Sequence, residues 1–225
     1  MPRHARFLIP GVATHVVQRG NNRSPCFYTE ADYGYFLKHL GEQAIQHGCA
    51  IHAYCLMTNH IHLLLTPARA DSLGGLMKAL CQRYVQYVNY TYEHTGTLWE
   101  GRYRSGMMKD EAHVLCCYRY IELNPVRAGM VDRPEQYRWS SYRSNAGGVR
   151  NALLTGHVHY LDLGKPGKDR YFAYRQLCEE QLAADLVENI RRATRRNTAA
   201  EVGVASGGMG NLGSDPILGT DPISR

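Results

Sequence analysis

Residues 58–65 read Thr-Asn-His-Ile-His-Leu-Leu-Leu, and this alternating, apolar run predicts the β-strand around which the other segments can be arranged. Successive side chains of a strand point to opposite faces, so His60 and His62 share one face. The other face carries the apolar side chains of Ile61, Leu63 and Leu65. Two imidazoles on a rigid strand suit a metal ion. Two hydrogen-bonded histidines on a half-polar strand would give the same pattern. A third functional group near them is needed to distinguish a metal site from this alternative.

The flanking segments predict an α+β fold in the ferredoxin-like order strand, helix, strand, strand, helix, strand. The strands are expected at residues 14–19, 51–57, 60–65 and about 98–108. Thr29 and Asp32 resemble a capping box that starts the first helix, and Gly48 stops it. Ser72 is a candidate cap for the second helix. The sheet is expected to be antiparallel, with both helices on one face and the other face free.

A third helix is predicted at about residues 110–123, with an apolar stripe formed by Val114, Leu115, Tyr118 and Ile121. Tyr120 lies about 150° from the centre of that stripe, so Tyr118 is the expected core tyrosine and Tyr120 is not. Asn124 follows Tyr120 by one helical turn on the same face, and Pro125 ends the helix. Taken singly, Asn124 could be a C-terminal cap and Tyr120 an exposed aromatic residue.

Composition narrows the class of protein without fixing its chemistry. The chain has 225 residues and a net charge of +6, which permits a nucleic-acid partner but does not prove one. The N-terminal segment lacks the apolar core of a signal peptide, and no run is long enough to cross a bilayer. The seven cysteines are scattered without a C-x-x-C spacing, which favours reduced thiols in the cytoplasm.

Three motifs together resemble those of the single-tyrosine HUH transposases, most closely their REP-associated branch. They are Asn-His-Ile-His-Leu-Leu at 59–64, Trp-Glu-Gly-Arg-Tyr-Arg-Ser at 99–105, and Tyr-Arg-Tyr-Ile-Glu-Leu-Asn-Pro-Val-Arg-Ala-Gly at 118–129. Two shorter segments, 18–23 and 139–142, fit the same branch. The resemblance runs from about residue 7 to residue 145 and continues more weakly to about residue 195.

The resemblance implies that His60 and His62 bind a divalent cation and that Tyr120 is the nucleophile. Asn124 stands where relatives carry a polar ligand one turn after the tyrosine. Imidazole and oxygen ligands suit Mg²⁺ or Mn²⁺. Such an ion polarises a phosphodiester for attack. A phosphotyrosine ester then conserves the energy of the broken bond, and a 3′-hydroxyl can reseal the DNA.

The implied partner is single-stranded or hairpin DNA, specifically a REP-type palindrome with a single-stranded foot, bound by a monomer or homodimer. Arginine binds phosphate in two-point fashion or stacks on an unpaired base. Five arginines from the motifs are expected to have this role: Arg19, Arg23, Arg102, Arg104 and Arg127. One alternative is a catalytically lapsed DNA- or RNA-binding protein on the same fold, and another is a metal-dependent hydrolase that uses water. The presence of His60, His62 and Tyr120 together favours the strand transferase.

Three regions are expected: a catalytic domain at 1–145, a helical appendage at 146–198 and a disordered tail at 199–225. A second His-x-His, at His157 and His159, lacks an alternating apolar run and is interpreted as surface or loop histidines. The appendage carries a basic cluster that fits either a solvated helix face or a phosphate contact: Arg191, Arg192, Arg195 and Arg196.

Overall fold

The computed structural model describes residues 8–200, and their centre is a four-stranded antiparallel sheet. The strands are β1 (Thr14–Arg19), β2 (Cys49–Met57), β3 (His60–Pro67) and β4 (Arg104–Met107). Their order across the sheet is β2-β3-β1-β4, so β3 and β1 are the central strands. This is the ferredoxin-like order, and the predicted fold class is confirmed.

Helices lie on both faces of the sheet. They are α1 (Glu30–His47), α2 (Ser72–Tyr92), α3 (Glu111–Glu122), α4 (Asn124–Arg127), α5 (Tyr142–Asn145), α6 (Val158–Leu161), α7 (Lys168–Glu179) and α8 (Ala184–Arg196). Two short 3-10 segments, Asn21–Arg23 and Pro134–Gln136, complete the regular structure of the described residues. The first core lies between α1, α2 and one face of the sheet, where Ile61, Leu63 and Leu65 are fully buried.

The first helix begins and ends where the sequence predicts. Thr29 and Asp32 form the reciprocal capping box, and the Asp32 carboxylate accepts from the backbone N–H of Thr29 at 2.8 Å. Gly48 adopts the left-handed conformation, with φ 64°, that ends many helices. The start of α2 differs from the prediction by one residue. Asp71 is at the N-cap position, and the Ser72 hydroxyl instead accepts from the Arg69 N–H at 3.1 Å.

Strand β4 is shorter than the predicted segment of residues 98–108. The extended conformation is interrupted at Gly101, whose φ of 77° is left-handed and incompatible with a strand. The residues before it form a loop on the end of β1, where the Glu100 N–H donates to the Arg19 carbonyl at 2.9 Å. Trp99 in this loop is buried against Tyr84 of α2.

The second face of the sheet is covered, so the expectation of a free face was wrong. A second core packs α3 and the C-terminal helices onto four apolar side chains of that face: Ala53, Cys55, Met57 and Leu64. Strand residues that are apolar on both faces need a cover on both, because exposed apolar area costs about 25 cal/mol per Å². From α3, this core includes Val114, Tyr118 and Ile121 of the predicted apolar stripe.

Helix α8 lies directly on β4 because position 106 has no side chain. A Cβ atom on Gly106 would be 2.7 Å from the backbone nitrogen of Thr194. Beyond α8 the chain runs beside β4, where the Met107 N–H donates to the Thr198 carbonyl and the Ala200 N–H to the Met107 carbonyl. The predicted disordered tail therefore begins with two residues, Ala199 and Ala200, that are placed against β4. Residues 201–225 lie outside the described part of the chain.

A buried carboxylate joins three helices within the second core. Glu122 of α3 accepts hydrogen bonds from Ser141, from Asn145 Nδ2 of α5 at 2.7 Å and from the Tyr174 hydroxyl of α7 at 2.6 Å. Burial raises the pKa of Glu122 to about 7, although these three hydrogen bonds act in the opposite direction. The protonated form is thus favoured by folding.

We expect Glu122 to make the protein less stable as the pH rises. The pKa of Glu122 in the folded state exceeds its ordinary value of 4.5. The protonated carboxyl therefore stabilises the folded protein fully below about pH 4.5, and this stabilisation is lost as the pH rises through about 7. Glu122→Gln stays neutral throughout. In urea unfolding, the free energy of unfolding of the wild type minus that of the variant should fall by up to about 3 kcal/mol from pH 5 to pH 8. Parallel pH curves for the two proteins would contradict this assignment.

Candidate active site

The strand β3 places His60 and His62 side by side on the face covered by α3. Their ring centroids are 4.9 Å apart and the rings are nearly perpendicular. His62 is buried and His60 is half-buried. His60 Nδ1 lies 2.6 Å from Asn59 Oδ1, which anchors the first ring at the turn between β2 and β3.

A third histidine, His15 of β1, belongs to the same cluster and was missed in the sequence analysis. His15 Nε2 lies 2.9 Å from His62 Nδ1, and the two rings are parallel with centroids 5.1 Å apart. The register explains the contact, since His62 pairs with Val17 and His15 is two residues along on the same face. The available signal was a histidine inside the strand predicted at residues 14–19.

Tyr120 of α3 lies edge-on against this cluster. Its ring centroid is 5.8 Å from those of both His62 and His15. The guanidinium of Arg127 lies over the ring at 4.4 Å, and Arg191 of α8 approaches the phenol oxygen with Nε at 3.5 Å. Tyr120 is only 3% exposed. The expectation that it lies outside the core was therefore wrong, because α8 covers the side of α3 that the helical periodicity leaves polar.

The neighbouring tyrosine has different surroundings. Tyr118 is fully buried and stacks on Tyr160, with centroids 5.5 Å apart. Its hydroxyl accepts from the backbone N–H of His157 at 3.2 Å. Both tyrosines are thus buried, but Tyr120 is the one whose ring contacts His62.

Asn124 lies just beyond the end of α3. Leu123 is the C-cap residue and Asn124 is the first residue of α4, so the alternative that Asn124 caps α3 does not hold. The side chain is 3% exposed, and its Nδ2 is buried without a hydrogen-bond partner among residues 8–200. An unpaired buried amide costs about 1–3 kcal/mol. Since Nδ2 can only donate, it is placed for a hydrogen-bond acceptor such as a phosphate oxygen, and only Oδ1 of this side chain could bind a cation.

Positive charge borders the cluster. Arg19, at the end of β1, pairs with His60 across the sheet. The positive charges of Arg23 and Arg104 lower the pKa of Arg19, so both lie near it. The charge of Arg127 contributes to lowering the pKa of His62. Four of the five arginines predicted to bind DNA therefore share the neighbourhood of the histidines. Arg102 is exposed on the loop before β4.

All three imidazoles are neutral at physiological pH. Burial lowers the pKa of His15 to about 3 and also that of His60 to about 3, with Arg19 adding to the effect on His60. Burial and the neighbouring positive charges lower the pKa of His62 well below its usual range. The neutral ring is the form that binds a metal ion.

The arginines of the predicted basic cluster have separate contacts. Arg191 faces Tyr120, whereas Arg195 forms an ion pair with Glu188 at 2.8 Å.

The second His-x-His is not part of the cluster around His62. His157 precedes α6, accepts from the His159 N–H at 3.3 Å and packs on His52. Within residues 8–200, no group of three or more His, Cys, Asp or Glu side chains is arranged to hold a metal ion.

Comparison with known proteins defines the class of the protein. A family model described as IS200-like transposase matches residues 9–124. The chain belongs to the IS200-like transposase family, and the family predicted from the motifs is confirmed. A search of curated proteins finds no match. None of the helices in the described part of the chain is long and apolar enough to cross a membrane.

Several solved structures resemble the chain, and two are described below. A REP-associated tyrosine transposase bound to a REP hairpin is 17% identical, with a TM-score of 0.53 over 70% of this chain and 93% of that one. A putative transposase from Deinococcus radiodurans R1 is 22% identical, with a TM-score of 0.36 over 47% of this chain and 84% of that one. The first structure shares the fold.

Asn124→Ala should separate a ligand role from a packing role. The amide has no hydrogen bond to lose, so the melting temperature should change little, while the Mn²⁺ concentration for half-saturation should rise about 10-fold or more. Asn124→Asp keeps an oxygen ligand and should bind better than the alanine variant. Isothermal titration with Mn²⁺ and thermal unfolding measure the two effects. An unchanged Mn²⁺ midpoint with a lowered melting temperature would assign Asn124 to packing.

Proposed function

We propose that the protein is a metal-dependent, site-specific single-strand DNA endonuclease and strand transferase. Tyr120 would form a 5′-phosphotyrosine link to its substrate, as its family membership suggests. The observation that carries the proposal is the direct contact of the Tyr120 ring with His62, inside a border of arginines. In this proposal the arrangement would join a nucleophile, a metal-ligand pair and positive charge for phosphate in one place.

The side chains around His60 suit a divalent cation. The amide of Asn59 is oriented by its Nδ2, which donates to the Arg23 carbonyl at 3.1 Å. Its Oδ1 therefore accepts from His60 Nδ1, which leaves Nε2 of His60 unprotonated. The amide oxygen of Asn124 would be the third ligand, while its unpaired Nδ2 would remain free to donate to a phosphate oxygen. His60, His62 and Asn124 would hold Mg²⁺ or Mn²⁺, which would polarise the scissile phosphate.

Tyr120 and two arginines supply the remaining chemistry. The phenol would lose its proton as its oxygen attacks phosphorus, the bond from phosphorus to the 3′ oxygen would break, and the 3′ oxygen would take up one proton and leave as a hydroxyl, so no net proton is gained or lost. Attack of a 3′-hydroxyl on the phosphotyrosine reverses the exchange. Arg191 lies beside the phenol oxygen and Arg127 over the ring, so both are placed to offset developing negative charge.

The proposed substrate is a REP-type hairpin with a single-stranded foot. The transposase that shares this fold is bound to a REP hairpin. Here Arg19, Arg23 and Arg104 form a positively charged edge next to the histidines. An unpaired strand can follow such an edge, because its bases are free to stack and its phosphates to pair with guanidinium groups.

A covalent adduct should form at Tyr120 and at no other tyrosine. Tyr120→Phe removes the attacking oxygen, so it should abolish the adduct while it lowers stability little, since its contact with Arg191 is long at 3.5 Å. Tyr118→Phe is the matched control and should retain adduct formation at a cost of about 1 kcal/mol for its lost hydrogen bond. Mass spectrometry of the DNA-linked peptide identifies the residue. A phosphotyrosine at Tyr118 or Tyr103 would refute the proposed nucleophile.

The same assay separates the strand transferase from its alternatives. His60→Ala combined with His62→Ala should bind hairpin DNA but form no adduct in Mn²⁺. Cleavage without any adduct would indicate a hydrolase that uses water. Hairpin binding without cleavage by the wild type would indicate a lapsed enzyme that only binds nucleic acid.

Binding should depend on strand structure and on salt. Arg104→Gln should flatten the slope of log affinity against log salt by about 0.7 for a hairpin with a single-stranded foot. Arg150→Gln, an exposed arginine outside the motifs, is the matched control and should leave the slope unchanged. Fluorescence anisotropy at several salt concentrations measures both variants. Equal wild-type affinity for a blunt duplex and for the hairpin would rule out the proposed recognition.

A further inference from the structure

A chain of three hydrogen bonds runs from α8 through β1 to His62. The Thr194 hydroxyl donates to the Ile190 carbonyl at 2.8 Å. Thr194 Oγ1 is also 2.9 Å from His15 Nδ1, and His15 Nε2 is 2.9 Å from His62 Nδ1. The three side chains are buried, so this chain of contacts is shielded from solvent.

The donor and acceptor in each of these hydrogen bonds follow from the Thr194 hydroxyl. A carbonyl only accepts, so the single hydroxyl proton of Thr194 points at Ile190 and its oxygen accepts from His15 Nδ1. A neutral imidazole carries one N–H, so His15 Nε2 is an acceptor. The proton between the two rings therefore belongs to His62 Nδ1. His62 Nε2 is left with its lone pair.

We propose that Thr194 and His15 are positioning residues that fix His62 in the tautomer able to bind a divalent cation through Nε2. The inference rests on the proposed function, which assigns the metal to His60 and His62. It extends that function to α8, since the orientation of a ligand on β3 depends on a hydroxyl in the C-terminal part of the chain. Metal-binding histidines are commonly held by such a partner on the other nitrogen.

The packing of α8 is suited to this role. His15 pairs with Gly106 across β1 and β4, and a Cβ at Gly106 would meet the backbone of Ala193 and Thr194 at 2.9 and 2.7 Å. The missing side chain lets the α8 backbone approach until the Thr194 hydroxyl reaches His15. His60 has a corresponding partner in Asn59, so both proposed ligands carry their proton on Nδ1.

Nitrogen NMR of the metal-free wild type is the first test. Long-range ¹H–¹⁵N correlation distinguishes the two tautomers of each histidine. His62 should be protonated on Nδ1 and His15 on Nδ1 as well. A His62 ring protonated on Nε2 would overturn the inference, whether or not the protein binds metal.

Thr194→Val is the second test, with Thr194→Ser as its matched control. Valine keeps the shape but lacks the acceptor, so His15 should move its proton to Nε2 and drive His62 into the wrong tautomer. We expect Mn²⁺ affinity, measured by electron paramagnetic resonance of the free ion, to fall about 10-fold or more for valine. Serine should retain both the wild-type tautomer and the wild-type affinity. A purely structural role predicts no change in tautomer, and a valine variant with wild-type NMR signals and affinity would refute the proposal.

The two proposals fail in different ways. If the wild type binds no Mn²⁺ at His60 and His62, the proposed function fails, while the tautomer of His62 in the metal-free protein still decides the role of Thr194. If the wild type binds Mn²⁺ and the valine and serine variants lose affinity equally, the function stands and the positioning role is wrong.

Discussion

The pairing register of β1 and β3 is the constraint on which the rest of the site depends. Val17 faces His62 in this register, which brings His15 diagonally against His62 at hydrogen-bond distance. A shift of one residue would turn every side chain of a strand to the other face. His62 would then enter the apolar core under α1 and α2, and Ile61 would face Tyr120. The hydrophobic pattern of β3 resists this slip, because its alternate side chains fill the first core.

Burial of polar groups on the second face is tolerated because nearly every one has a partner. His15 is bonded to Thr194 and His62, and Glu122 accepts from three side chains. A buried group without partners would cost about 1–3 kcal/mol. Asn124 is an exception, since its Nδ2 has no partner among residues 8–200. A bound hydrogen-bond acceptor, such as a phosphate oxygen, would satisfy this donor.

Local patterns predicted much of the fold and part of the candidate site. The capping box at Thr29 and Asp32 and the alternation of residues 58–65 depend on neighbours in the sequence, and both appear as expected. The covered second face and the burial of Tyr120 were missed. Helical periodicity identifies the apolar face of α3 from the residues of that helix alone. It cannot show that α8, which comes later in the chain, packs on the polar side.

The sequence by itself determined the order of the first strands and helices along the chain, the placement of both histidines on one face and the family, because each depends on short-range spacing or on ordered motifs. Only the tertiary structure decided that His15 and Thr194 lie behind His62, although 179 residues separate them in the chain. Strand register, the absent side chain at Gly106 and the docking of α8 bring them together. Hydrogen bonds act over about 3 Å, so such contacts exist only after distant segments have packed.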